Sequence, residues 1–155
     1  MARASLIDLI ASAAGRKIVC VGDVMLDRFV YGDVSRISPE APVPIMRRTR
    51  EASMPGGAGN VARNLASLGL HTALIGVVGD DAEGRELAAL LGKLPNVEAD
   101  LIAMRGRPTT LKTRFVAGAQ QLLRVDAEEV AGIEKDIESE LVSAIHQVAA
   151  DAALI

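Results

Sequence analysis

Apolar runs and amphipathic segments alternate along the chain. Continuous apolar runs at residues 17–21 and 72–78 are each followed by Gly-Asp, which is typical of buried parallel strands. Residues 60–68 and 81–91 carry apolar side chains at helical spacing. The alternation of strand and helix predicts an α/β domain with a largely parallel sheet and flanking helices.

Weaker patterns complete the predicted order of elements. An amphipathic helix is expected at residues 5–14, and a longer helix at 133–149. The remaining predicted strands cover residues 97–103, 110–116 and 121–125, the last two joined as a hairpin at 117–119, with a further strand beginning at 151–155.

Residues 28–50 follow a different pattern, in which short β-prone pieces are separated by Gly, Ser and Pro. Proline cannot donate a hydrogen bond to a strand ladder, so Pro39, Pro42 and Pro44 restrict this segment to edge strands or turns. The segment is therefore predicted to form a small β lid outside the main sheet.

Composition narrows the class of function. The 155 residues carry a net charge of −3 and only 2% aromatic side chains, which argues against a nucleic-acid-binding surface. No apolar run approaches the ~20 residues of a membrane span, and residues 1–14 do not resemble a signal peptide. The single cysteine, Cys20, excludes a disulfide framework and is expected to be a buried small hydrophobe. These features predict a cytoplasmic protein that binds neither membrane nor nucleic acid.

Three features follow predicted strands, where open α/β sheets bind ligands. Asp23 and Asp27 follow the first strand, a glycine-rich turn at residues 55–59 leads into Asn60 at a helix start, and Gly-Asp-Asp at 79–81 follows the second strand. Glycines and a helix N-terminus let backbone amides approach a ligand, although a plain turn into a helix explains the same residues. No Gly-Lys-Ser/Thr follows, so the turn is not a nucleotide-binding Walker loop.

Two kinds of side chain suit a sugar phosphate. Asp27 could accept hydrogen bonds from sugar hydroxyls, with a turn or helix cap as the alternative. Lys112 and Arg114 alternate along a predicted strand, so they face the same side and could hold a phosphate. Taken alone, the two cations are better explained by a solvated strand face. No cluster has metal-ligand spacing, and no nucleophile–His–acid set is evident.

Several segments together resemble a known family. Residues 57–62 (GAGNVA), with Gly69 and Gly79 at the expected separations, resemble the first signature of the ribokinase-like (phosphofructokinase B type) carbohydrate kinases. Residues 21–45, 55–69 and 109–126 are similar, more narrowly, to bacterial heptose 7-phosphate kinases, including the kinase domain of bifunctional ADP-heptose synthesis proteins. The resemblance covers nearly the whole chain from residue 17 onward.

The resemblance implies a ribokinase-like fold with a sugar held under the β lid. It implies transfer of the ATP γ-phosphoryl group to the anomeric hydroxyl of D-glycero-D-manno-heptose 7-phosphate, with Mg²⁺, for lipopolysaccharide precursor synthesis. It also implies a homodimer formed through the lid. A parallel sheet without its later strands would expose an apolar edge, which is a second expected surface for self-association. The substrate-binding residues that the resemblance implies are Asp27, Gly56, Gly57, Asn60, Lys112 and Arg114.

One departure from the family pattern is expected to matter. The family's catalytic base is an aspartate in a Gly-Ala-Gly-Asp turn, whereas residues 57–59 here are followed by Asn60. We therefore assign no catalytic residue and expect residues 1–155 to be the N-terminal half of a kinase domain, binding ATP poorly and having little kinase activity alone. The alternatives are a non-catalytic sugar-phosphate-binding or dimerisation module and an unrelated nucleotide-binding α/β protein.

Overall fold

The computed structural model describes residues 6–155. Residues 1–5 lie outside the described residues. They include residue 5, with which the first predicted helix was expected to begin. The helices are α1 (Leu6–Ala13), α2 (Ala58–Ser67), α3 (Ala82–Leu91) and α4 (Lys135–Ala149). The strands are β1 (Lys17–Val21), β2 (Val24–Ile37), β3 (Pro44–Gly57), β4 (His71–Gly79), β5 (Val97–Met104), β6 (Leu111–Ala117) and β7 (Gln120–Ala127).

Three strands form the main sheet, in the order β1-β4-β5 and all parallel. This confirms the predicted parallel sheet with flanking helices. Because the strands are parallel, their carboxyl ends meet at one edge of the sheet. The strand predicted at residues 151–155 is reduced to one parallel bridge, in which Leu154 pairs with Ile18 of β1.

Helices cover both faces of the main sheet. Successive β4 residues point to opposite faces, and Leu74 packs with Leu87 of α3 while Ile75 packs with Ala144 of α4. Leu74 and Ile75 are both almost fully buried. Burial on both faces explains why β4 is a continuous apolar run rather than an alternating one.

A second, four-stranded sheet has the order β3-β2-β6-β7, and we call it the lid sheet. β2 and β3 form a long antiparallel hairpin of fourteen residues each, so the prediction of a few short pieces within 28–50 was wrong about their length. The predicted hairpin of the last two strands is confirmed, with Gly118 at a φ of 57°. The lid sheet is therefore larger than the sequence pattern indicates.

One predicted turn is a strand in the structure. Residues 55–57 were expected to belong to a glycine-rich turn, but they are the last residues of β3 and pair with residues 24–26 of β2. α2 begins directly after them, at Ala58. The glycine-rich segment therefore joins the lid sheet to the main domain without an intervening loop.

Candidate functional site

Asp27 lies in the lid sheet between the two segments that carry the predicted site. It is on β2, in register with Met54 of β3 and Lys112 of β6. Its carboxylate lies against Gly56, since a Cβ atom at position 56 would overlap Asp27 Oδ2. The structure therefore brings two predicted site residues into direct contact, and glycine at position 56 leaves room for the carboxylate.

Gly57 connects β3 to α2. Its φ of 56° is in the left-handed region, and a Cβ atom here would overlap the backbone oxygen of Asp23, so the position requires glycine. The Ala58 N–H donates a hydrogen bond of 2.9 Å to that same oxygen. This bond ties the start of α2 to the carboxyl end of β1. A contact between Gly57 and a ligand stays a prediction.

Asn60 lies in the first turn of α2 and is held by a residue that the sequence reasoning missed. Arg63 Nη2 donates to Asn60 Oδ1 at 2.8 Å, and Arg63 Nη1 lies 3.8 Å from the sulfur of Met54. Met54 is the β3 partner of Asp27. Arg63 therefore orients Asn60 and connects α2 to the strand beside Asp27. The signal in the sequence is its spacing, since residues three apart on a helix are neighbours.

Arg114 is the cation closest to Asp27. Its Nη2 lies 3.1 Å from Asp27 Oδ1, and its guanidinium lies 5.5 Å from the centre of the Phe29 ring. Both charged side chains are about four-fifths buried. The contact does not have hydrogen-bond geometry, and Asp27 Oδ1 and Arg114 Nη1 are both buried without a hydrogen-bond partner. An unpaired buried polar atom of this kind costs about 1–3 kcal/mol.

Lys112 is held by carboxylates of its own. Its Nζ lies 3.0 Å from Glu128 and 3.2 Å from Asp126. The hydrogen bond to Glu128 raises the pKa of Lys112, burial opposes this, and Asp126 raises it further. Lys112 is therefore charged at neutral pH, but two carboxylates already offset its charge. Its role as a phosphate ligand stays a prediction, and Arg114 is the less fully paired cation.

Cavities lie on both edges of the main sheet. One of about 410 Å³ is lined by Asp23, Met25 and residues 128–133, beside the carboxyl end of β1. A larger one of about 480 Å³ is lined by Lys17, His71 and other residues at the amino ends of the strands. Ligands of open α/β sheets bind at the carboxyl ends, so the smaller cavity is the better placed of the two for a ligand. Its lining includes Asp23 but none of the six predicted substrate-binding residues.

Asp81, the third feature found in the sequence, has a structural role. It caps α3, accepting from the Gly84 N–H at 2.8 Å, and it also accepts from the backbone N–H and the hydroxyl of Thr109, each at 2.7 Å. The Thr109 hydroxyl in turn accepts from the Gly79 N–H at 2.8 Å. These bonds fix the segment that leads into β6, and hence the position of Lys112 and Arg114.

Replacing Asp81 with asparagine is expected to destabilise the chain by about 1–2 kcal/mol at neutral pH, because both carboxylate oxygens accept hydrogen bonds and an amide NH₂ group cannot accept one. Partial burial alone would raise the pKa of Asp81, but the hydrogen bonds from Thr109 and Gly84 and the charge of Arg85 lower it. The contribution of Asp81 is thus present above its unfolded pKa of about 3.9 and is lost as the pH falls through the folded value.

The measurement is urea denaturation at about pH 7 and at about pH 3, a pH below the unfolded pKa at which part of the contribution is lost. The stability difference between the wild type and Asp81→Asn should shrink at the lower pH. Asp80→Asn is the matched control, because Asp80 is exposed and contacts only Arg85, at 3.5 Å, among the described residues. Equal effects of the two substitutions would contradict the assigned role.

Other predictions concern single groups. Cys20 packs against the core, and burial raises the pKa of its thiol, but the residue is only half-buried and not fully buried as expected. No helix within residues 6–155 combines the length and apolar character needed to cross a membrane. Across the same residues, no group of three or more His, Cys, Asp or Glu side chains is arranged to hold a metal ion.

Comparison with known proteins identifies a matching family and similar curated proteins. Residues 15–152 match the family described as pfkB family carbohydrate kinase. The chain is 57% identical over 147 residues to the bifunctional protein HldE of Hyphomonas neptunium, which covers 95% of the chain and 30% of that protein. It is 56% identical over 126 residues to the bifunctional protein HldE of Acidiphilium cryptum, covering 79% of the chain and 26% of that protein. The chain thus spans less than a third of the length of these curated relatives.

Solved structures share the fold at lower sequence identity. Phosphofructokinase-2 from Escherichia coli in complex with fructose-6-phosphate matches with a TM-score of 0.65 and 24% identity, over 87% of this chain and 42% of that one. A carbohydrate kinase from Agrobacterium tumefaciens matches with a TM-score of 0.66 and 20% identity, over 90% of this chain and 44% of that one. The architecture is therefore ribokinase-like, as the sequence resemblance implied.

Proposed function

Because the chain belongs to the pfkB family of carbohydrate kinases, we propose that it forms the sugar-binding, N-terminal part of a heptose 7-phosphate kinase domain. The complete enzyme transfers the γ-phosphoryl group of ATP to the anomeric hydroxyl of D-glycero-D-manno-heptose 7-phosphate, in the cytoplasm, for lipopolysaccharide precursor synthesis. The choice of heptose rests on the resemblance of residues 21–45 and 109–126. It is supported by the relatives called bifunctional protein HldE.

The observation that carries the proposal is the contact of Asp27 with both Gly56 and Arg114. The carboxylate offers acceptors for sugar hydroxyls, and the guanidinium beside it, 3.1 Å away, suits a phosphate. Asn60 adds an amide whose NH₂ group can donate to hydroxyls, since only its oxygen is engaged by Arg63. A site for a sugar that already carries a phosphate needs both kinds of group side by side.

ATP and Mg²⁺ are the proposed cofactors of the complete kinase. The chain has no Gly-Ala-Gly-Asp run to supply the family's base, and no described cluster suits a metal ion. We therefore place neither cofactor on these residues. Phosphoryl transfer depends on positioning and charge stabilisation around the phosphates. Consequently the chain alone should have little kinase activity.

A homodimer through the lid sheet is part of the same proposal. Large apolar side chains are exposed at the far end of the β2–β3 hairpin and on β7, and such patches favour association. The hairpin residues are Val34, Ile37 and Val43, and the β7 residues are Leu122, Leu123 and Val125. A non-catalytic dimerisation module would use the same surface. The family match argues against the third reading, an unrelated nucleotide-binding protein.

Thermal unfolding of the purified chain with heptose 7-phosphate, and separately with Mg-ATP, tests the proposal. Ligand at a hundred times its dissociation constant should add about 2.7 kcal/mol of stability. We expect heptose 7-phosphate to stabilise the chain and Mg-ATP to leave it unchanged. Asp27→Asn should weaken the stabilisation by heptose 7-phosphate. Asp33→Asn is its matched control, since Asp33 is an exposed residue of the same strand, paired with Arg47.

Two results would contradict parts of the proposal. Stabilisation by Mg-ATP but not by heptose 7-phosphate would remove the sugar assignment. ATP-dependent phosphorylation of heptose by the purified chain would show that it is catalytically complete, contrary to the expected dependence on further residues.

A further inference from the structure

Three cations and three carboxylates lie together on the lid sheet and just after β7. They are Asp27, Lys112, Arg114, Arg124, Asp126 and Glu128. Lys112 contacts two carboxylates, and Arg124 lies 3.0 Å from Asp126. Asp27 is the one carboxylate that Arg114 contacts among the described residues. An incoming anion thus meets three cations that each already contact a carboxylate. Of the three, Arg114 is the one with a buried nitrogen that has no hydrogen-bond partner.

The Asp27–Arg114 pair shields the groups that a ligand would need. Asp27 Oδ1 and Arg114 Nη1 are both buried from solvent and both lack a hydrogen-bond partner. A ligand therefore reaches these two atoms only if the side chains separate or rotate. The guanidinium of Arg114 lies 5.5 Å from the centre of the Phe29 ring. This cation–π contact still stabilises Arg114 when Asp27 moves away from it.

We propose that the Asp27–Arg114 ion pair is a specificity-determining element that admits a ligand carrying both hydroxyls and a phosphate and disfavours either part alone. The inference rests on the proposed function for its ligand, a sugar phosphate. It goes beyond that function because it concerns the interaction of the two side chains with each other, and not their separate contacts with a substrate.

The physical reason is that each half of the ligand alone leaves a charge uncompensated. Phosphate bound to Arg114 alone would lie beside the Asp27 carboxylate, and like charges so close repel. A neutral sugar that draws Asp27 away leaves a largely buried guanidinium without its counter-ion. A sugar phosphate replaces Asp27 on Arg114 with its own anion, while its hydroxyls donate to the freed carboxylate. The two halves therefore bind cooperatively.

Binding of inorganic phosphate and of heptose 7-phosphate, measured by calorimetry on the full chain, tests the inference. Asp27→Asn keeps the shape of the side chain and removes its charge. This variant should bind inorganic phosphate about tenfold more tightly than the wild type, a size typical of coupling between two sites. It should also bind heptose 7-phosphate more weakly. A residue that merely contacts the sugar would not change the affinity for inorganic phosphate.

Three controls make the result specific. Asp33→Asn makes the same change on the same strand, at an exposed Asp–Arg pair 3.2 Å apart, and should leave phosphate affinity unchanged. Asp27→Asn combined with Arg114→Gln should abolish the gain. Circular dichroism checks that each variant is folded, which matters most for the double variant, since Asn preserves the size of Asp but Gln is smaller than Arg.

The outcomes separate this inference from the proposed function. No gain in phosphate affinity in Asp27→Asn, or an equal gain in Asp33→Asn, would overturn the inference even if heptose 7-phosphate binds the wild type. Persistence of the gain in the double variant would also overturn it. A gain specific to Asp27→Asn supports it, even where heptose 7-phosphate fails to bind and the proposed substrate is wrong.

Discussion

Replacing Leu26 with alanine should lower the free energy of unfolding by about 3–5 kcal/mol, because a buried leucine leaves a cavity when it is truncated. Leu26 has no exposed surface and packs in the core cluster with Leu74 and Leu87. Leu26 belongs to β2, so its packing connects the lid sheet to the core between the main sheet and α3. Domains of this size are stable by about 5–15 kcal/mol in total, so this single change removes a large share.

Urea denaturation measures this loss, and Leu68→Ala is its matched control. Leu68 is 48% exposed at the end of α2, so its truncation should change stability by less than about 1 kcal/mol. Similar effects of the two substitutions would mean that β2 is not anchored in the core as the structure shows.

Replacing Gly56 with alanine should weaken binding of heptose 7-phosphate about a hundredfold, since lost hydrogen bonds to a charged group cost about 1.5–3 kcal/mol. The added Cβ atom would overlap Asp27 Oδ2 and crowd Met25 Cγ at 2.9 Å. The carboxylate would have to rotate away from its position. The affinity of the variant, measured by calorimetry, tests whether this position is the one that binds sugar.

Gly92→Ala provides the control for the general effect of adding a methyl group to glycine. Gly92 is the C-cap of α3 with a φ of −64°, and the one neighbour that its Cβ atom would meet within 4 Å is Ala88 O, at 3.3 Å, so this variant should bind as the wild type does. Unchanged binding by Gly56→Ala would show that the placement of Asp27 against Gly56 does not matter for the ligand.

The main sheet could be predicted well because its signals are local. β4 is buried on both faces and β1 is partly buried, and strands inside a parallel sheet are continuous apolar runs. α2 and α3 show their buried faces through the spacing of apolar residues, and the bounds of both lie within two residues of the predicted ones. Each of these features is contained in a short window of sequence.

The lid sheet was predicted poorly for the opposite reason. The outer halves of β2 and β3 are largely exposed, so their residues are polar and show no clear periodicity. Their regular structure comes from pairing with each other, over thirteen registered positions. Residues 55–57 looked like a turn because they include two glycines, but the strand needs those glycines to make room for Asp27 and Asp23.

The sequence by itself determined the fold class, the family and the residue types of the candidate site. Asp27, Gly56 and Arg114 could each be named from their motifs. Only the tertiary structure decided that these three meet, that two carboxylates hold Lys112, and that Arg63 orients Asn60. The physical reason is that ion pairs and close packing depend on which strands become neighbours. Which strands become neighbours depends on the burial of apolar surface across the whole chain, and a short window of sequence does not contain that information.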